Sequence, residues 1–294
     1  MKLRRSFSQI IFDVVNTAIM ILLCIICIIP LWHVVMASIS EPAQVDMATG
    51  FILRPLGNVS TKAYSLIMQY RGIWTGYRNT IFYAVAQCII TSFLSVIAGY
   101  ILSRKRFRYR GVLMGMITFT MLFNGGMIPT YMVIKNLGML DQYSALLIPG
   151  ALQVFYIIIM RTAIEGIPDS LEESARIDGA GEMTVMWKII LPLCKATFAV
   201  IILFVAVGKW NEWFSALLYL PTAKDKYPLQ MFLREILIQS TTVSNAADAM
   251  ESAALYKTLA KYASIVVTTL PILCIYPFVQ KYFVNGVMVG SVKG

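Results

Sequence analysis

Residues 165–192 read EGIPDSLEESARIDGAGEMTVMWKIILP, a polar stretch set between two long apolar runs. Its patterning separates it from an ordinary turn. Pro168 and Asp169 open a helix, because proline is tolerated in a first turn and Asp or Ser can cap the free N–H groups there. Asp169, Glu172 and Glu173 fill the first turn, where the positive end of the helix dipole stabilises acids. Gly179 and Gly181 supply a stop, since glycine accepts the left-handed conformation that ends helices. From Glu182 a second helix is predicted, with Met183, Met186, Trp187 and Ile190 on one apolar face at spacings of three and four. Pro192 marks the passage into the next apolar run. The expectation is a short acidic helix, a glycine corner, and an amphipathic helix lying along a membrane surface.

The rest of the chain supplies that membrane. Of 294 residues, 58% are hydrophobic and 14% charged, with a mean hydropathy of +0.71. A soluble domain carries about 25% charged residues, so this is a membrane protein. Six apolar runs reach the roughly 20 residues that a span needs: 11–37, 80–102, 112–134, 143–160, 197–220 and 263–284. The first is too long for the core of a secretory signal and lacks a small-residue cleavage site, so it is read as a retained helix. The fold class is therefore all-α, a single polytopic domain over 11–294 behind a cytoplasmic N-terminus, 1–10.

The net charge of +10 needs no nucleic acid to explain it. Lys2, Arg4 and Arg5 precede the first run, and Arg104, Lys105, Arg106, Arg108 and Arg110 crowd one connection. This is the positive-inside bias, and with an even number of spans it places both termini in the cytoplasm. The loop at 161–195 then faces the cytoplasm, and 38–77 and 221–262 face outward. Within the latter, 227–238 (YPLQMFLREILI) reads as an amphipathic helix, followed by a flexible stretch to Ala254.

Glu173-Ser174-Ala175, three residues to Gly179, nine more to Ile189, then Leu191-Pro192, resembles the signature loop of ATP-binding-cassette importer permeases, E-A-A-x3-G-x9-I-x-L-P. Serine replaces the first alanine, a small-for-small change. The resemblance implies the type I importer permease fold, with this loop as a coupling helix docked on a cytoplasmic ATPase. Glu172, Glu173 and Asp178 would offer acceptors to basic groups on it. Ser174, Ala175 and Gly179 would permit close approach, and Ile189, Leu191 and Pro192 complete the motif. The implied partners are two ATPase subunits, which carry the ATP and Mg, a second, related permease and an external solute-binding protein. The implied location is the cell membrane of a prokaryote. This chain would hold no cofactor and catalyse nothing itself. Without the loop, the same spans would equally suit an ion-driven secondary transporter or channel.

Two clusters inside spans are candidates for the solute pathway. In the third run, Asn124-Gly125-Gly126 and Pro129 predict a kink or break, tolerated at membrane depth only where protein or a water-filled cavity satisfies the backbone. In the fifth, Lys209-Trp210-Asn211-Glu212-Trp213 is charged at a depth where charge is costly and so is paired or faces a polar cavity. Lys209 and Glu212, three apart, can pair on one face. Trp210 and Trp213 beside an amide and an acid resemble the W-N-x-aromatic motif of carbohydrate permeases, which implies a sugar, most simply an oligosaccharide, as cargo. A structural ion pair within an aromatic belt is the competing reading. The tail from Val284 resembles the ending of the same branch.

Other chemistries are absent. There is no G-x-x-x-x-G-K-[ST] phosphate loop, no H-E-x-x-H and no G-x-S-x-G. The five cysteines lie in or beside apolar runs, and the Cys24-x-x-Cys27 pair has no acid or His nearby to complete a metal set. His33, after Trp32, reads as interfacial packing.

Overall fold

The computed structural model describes residues 7–242 and 259–274, and every regular element among them is helical. The chain divides into two units, Met1–Arg71 with Leu233–Leu270 and Gly72–Phe232 with Pro271–Gly294.

The first unit is built on α1, Phe7–Ser38. Only its last residues, Met36, Ala37 and Ser38, are buried. A helix that is apolar all round and uncovered by protein is suited to lipid. Its 32 residues reach about 48 Å at 1.5 Å each, more than the roughly 30 Å of hydrocarbon. Cys24 and Cys27 are free thiols on this exposed surface. Two short helices follow, α2 (Pro42–Met47) and α3 (Lys62–Gln69). His33 does pack at this end: its Nδ1 accepts the Ile52 N–H at 2.9 Å, and its ring meets Phe51 and Tyr262 edge-on.

The second unit begins with α4, Arg71–Ser103. It starts nine residues before the expected 80–102 span, because the helix continues through Gly72–Asn79 to hold the segment at 225–229. Asn79 donates to the carbonyls of Asp225 and Tyr227, Tyr83 donates to Lys226, and Thr80 accepts the Leu229 N–H. The expected 112–134 span is two helices, α5 (Arg110–Leu122) and α6 (Met127–Asn136), bent by 110°. Gly126, at φ +89°, makes the corner, and the Asn124 carboxamide accepts its N–H at 2.8 Å. Pro129 falls in the first turn of α6, where no donor is lost.

The expected 143–160 span is also broken, into α7 (Tyr143–Leu147) and α8 (Val154–Glu165), with Pro149-Gly150 in the gap. The loop at 165–192 forms α9 (Asp169–Ile177) and α10 (Glu182–Leu193). The chain then turns by 83° into α11, Lys195–Trp210. The expected 197–220 span thus ends early, and Asn211–Trp213 separate it from α12, Phe214–Tyr219. α13 runs Leu229–Thr242, close to the helix expected at 227–238, and α14, Leu259–Cys274, is the described part of the sixth run. Residues 243–258 and 275–294, with the loop stretch and tail singled out above, lie outside the described residues. Among the described residues two helices are long and apolar enough to cross a membrane, and two bent pairs pass the same test together.

Two apolar cores organise the second unit. One joins Val96 and Tyr100 of α4 to Met160 and Ile164 of α8, Ala175 of α9, Met186 and Ile190 of α10 and Ile201 of α11. Gly99 permits this crossing, since a Cβ there would stand 2.9 Å from Met160 and 3.0 Å from the Arg161 nitrogen. The other core gathers Tyr83, Ile134, Leu146, Ala216, Tyr219 and Met231.

Candidate functional site

The loop has an inner and an outer face. Its corner is a Schellman turn, in which the Ala180 N–H reaches the Ala175 carbonyl at 2.9 Å and the Gly179 N–H reaches Arg176 at 3.0 Å. Gly179 sits at φ +83°, a conformation that costs a side-chain-bearing residue about 1–2 kcal/mol. α10 contains a wide π turn from Val185 to Ile190. Pro192 accounts for it: proline has no N–H to return and its ring would crowd the Lys188 carbonyl in an α turn. The turn also re-registers the helix. Val185, Met186 and Ile190 are buried, whereas Met183, expected on the same face, is 66% exposed.

The inner face is fastened to the end of α4 by charge. Glu172, expected to await a partner protein, is only 4% exposed and is bound by Arg104, with Arg176 at 3.5 Å. Arg104 is itself held in place, its Nε donating to the Tyr100 carbonyl and Ser103 Oγ and its guanidinium lying 4.3 Å over the Tyr100 ring. The Tyr100 hydroxyl donates to Glu182 at 2.6 Å, and Arg176 grips the same carboxylate at 3.0 Å. Lys105 and Asp169 pair at 2.8 Å, but both are exposed and this bridge adds little. The Tyr100 hydrogen bond outweighs partial burial and, with Arg176, holds the Glu182 carboxyl below the ordinary glutamate value. A carboxylate depressed in this way stabilises the fold above its unfolded value, and the contribution is lost only as pH falls through the lowered folded value. The clamp is therefore fully formed at neutral pH.

Ala175, expected at a docking surface, packs into the core instead at 9% exposure; Ile189 and Leu191 pack against that core, and Pro192 is exposed. The outer face carries Glu173, Ser174, Asp178 and Gly179, all exposed. The Glu173 and Asp178 carboxylates take no hydrogen bond or ion pair from the described residues. Beside them stand Ile177, 86% exposed, and Met183. Ile177 escaped sequence reading and Met183 was assigned to the apolar face, because only the placement of the turn shows which apolar side chains are left outside.

The second feature lies between the two cores, a cleft of about 490 Å³ lined by Gln87, Gln153, Tyr156, Lys209, Asn211, Glu212 and Trp213 among others. Its origin is the α7–α8 break, which frees backbone carbonyls beside it. Lys209 donates to the Leu146 carbonyl and to Glu212 at 2.6 Å; Gln87 and Thr91 donate to Gly150. The Lys209–Glu212 pair read from spacing is thus present, with a structural task. The tryptophans separate: Trp210 is 8% exposed with its ring 6.2 Å from Tyr77, while Trp213 lines the cleft at 39% exposure. Asn124, Gly125 and Gly126 lie at the exposed α5–α6 bend and are not part of this cleft. Among the described residues no group of His, Cys, Asp and Glu could hold a metal.

Residues 72–289 match the family described as binding-protein-dependent transport system inner membrane component, a match that starts where the second unit starts. The polygalacturonan/rhamnogalacturonan transport system permease protein YtcP of Bacillus subtilis is 40% identical, covering 96% of this chain and 98% of that protein. Protein LplC of the same organism is 38% identical over 97% of this chain and 95% of its own length. A chain in the crystal structure of a bacterial ABC transporter that imports the acidic polysaccharide alginate superposes with a TM-score of 0.85 at 34% identity, covering 96% of this chain and 100% of that one. With its spaced loop, its helical fold and these relatives, the chain belongs to the family of binding-protein-dependent transport system inner membrane components, the membrane-embedded permeases of ATP-driven importers.

Proposed function

We propose that this chain is one of two permeases in a prokaryotic importer that carries an acidic oligosaccharide, with six spans and both termini in the cytoplasm. The observation that carries the coupling half is the two-faced loop. Its inner face is bound to α4, α8 and α11, and its outer face, Glu173, Ser174, Ile177, Asp178, Gly179 and Met183, is bare. A cytoplasmic ATPase docks there, acids meeting its basic groups and the two apolar side chains filling its groove. ATP and Mg belong to that partner. When two ATPase subunits close, α9 and α10 move as one body with the end of α4, and the spans rock around the central cleft between inward-open and outward-open states. One loop serves one ATPase, which calls for a second permease.

The cargo reading is supported by the two relatives named for uronic-acid polymers and by a cleft with amide, hydroxyl and aromatic walls. Within it, Trp213→Ala is expected to lower import about tenfold, and Trp210→Ala to act through yield and thermal stability, since Trp210 packs away from the cleft. Equal effects on import per folded complex would remove Trp213 from the pathway. The test of the whole reading is uptake of trigalacturonate into proteoliposomes holding the permease pair, ATPases and binding protein. Import that needs ATP and survives collapse of ion gradients is the expected result. Import driven by an ion gradient without ATP would overturn it.

A further inference from the structure

Gln87 stands midway along α4, 2% exposed, on the wall of the cleft. Both protons of its amide are committed, one to Thr91 Oγ1 and one to the Gly150 carbonyl, each at 2.8 Å. Those bonds fix which way the amide faces, because turning it over would set oxygen against the Gly150 oxygen. The Oε1 atom is left buried with no donor. A buried acceptor without a partner destabilises a fold, and natural proteins keep few of them. The neighbouring Gln153, Tyr156 and Ser215 also line the cleft, and their side-chain polar groups make no hydrogen bond to the described residues. Lys209 and Glu212 cancel in charge.

We propose that the cleft is a saccharide subsite that reads hydroxyl groups through the Gln87 side-chain carbonyl; this rests on the carbohydrate reading above. An orphaned acceptor asks for a donor. A uronic carboxylate at neutral pH has none to give, whereas a sugar hydroxyl donates and accepts at once. Glu212, its charge offset by Lys209, is a second acceptor and likewise offers a carboxylate no donor. The ligand therefore presents its hydroxylated face to Gln87, Tyr156 and Ser215, and its carboxylates point out of this cleft.

The test uses the whole complex in proteoliposomes with saturating binding protein and three probes: trigalacturonate, an alginate-derived trisaccharide and arabinotriose. Gln87→Met is expected to lower the import rate about tenfold, the worth of one well-made hydrogen bond, without changing the binding-protein concentration at half-maximal rate. Gln87→Glu, protonated at this depth, keeps the acceptor and one donor and is expected to stay within about threefold of wild type. Thr91→Val removes the bond to Gly150 and one of the two acceptors of the Gln87 amide, but leaves Oε1 and the Gly150 bond that sets which way it faces. It therefore reports the structural cost alone and is expected to lose less than about threefold. Import by Gln87→Met at the wild-type rate, or an equal loss in Thr91→Val, overturns the subsite while leaving the transporter assignment standing. Wild type that imports none of the probes overturns the carbohydrate reading and the subsite with it. Should Gln87→Met fail to assemble, Ser215→Cys decides: maleimide labelling above the wild-type background is slowed by the imported trisaccharide if the subsite exists and unaffected if it does not.

Discussion

Replacing Gly179 with leucine is expected to abolish ATP-driven import while the protein still accumulates in the membrane. Two effects coincide at this position. The φ of +83° strains any residue with a Cβ by about 1–2 kcal/mol, which loosens the turn that sets α10 against α9. The Cβ direction itself is open, with no atom within 4 Å, so the new side chain stands out on the bare face. Insertion depends on the spans and is untouched. ATPase co-elution and import should both fall, by about a hundredfold for import, since a side chain wedged into a docked interface costs several kcal/mol. Gly179→Ala carries the strain with little bulk and is expected to fall between. Wild-type import by the leucine variant would remove Gly179 from the docking surface.

The second large effect is expected at Glu172. Glu172→Gln leaves Arg104 and Arg176 facing a neutral amide in a half-closed site. Breaking a fully buried pair costs about 3–5 kcal/mol, and the partial exposure of Arg104 brings this toward about 2 kcal/mol. The ATPase, meeting only the outer face, should still co-elute. The motion it delivers should no longer reach α4, so solute imported per ATP hydrolysed falls several-fold while hydrolysis continues. The swapped pair Arg104→Glu with Glu172→Arg restores part of the ratio, but not all, because Arg176 then faces a like charge. Loss of ATPase binding in Glu172→Gln would instead place Glu172 at the docking surface, as its position in the acidic first turn first implies.

That contrast between Glu172 and Glu173 shows where sequence reading works. Adjacent acids in a first turn look alike in one dimension, and only the arrival of Arg104 from a distant connection selects one for the interior. The glycine corner was legible because left-handed backbone has a residue-level signature, and the Lys209–Glu212 pair because helical spacing alone brings those residues together. Met183 was misplaced by a π turn that Pro192 imposes further along the chain, shifting register between the two. The break at Pro149-Gly150 lay inside a run apolar enough to pass as one span, and hydropathy averages do not see a missing N–H. The carbonyls freed there explain why Lys209, Gln87 and Thr91 are tolerated among apolar helices. Gln87 itself carried no signal, since a single glutamine in a long apolar helix gives no periodicity to follow.

The most direct test of the central claim is affinity purification of the tagged chain in mild detergent, beside a variant carrying Ile177→Ser and Met183→Ser on the outer face. The account predicts that wild type brings down an ATPase with a phosphate-loop motif and a second permease, and that the variant keeps the permease and loses the ATPase. A wild-type chain that elutes folded and alone, and moves solute in liposomes without ATP, would contradict it.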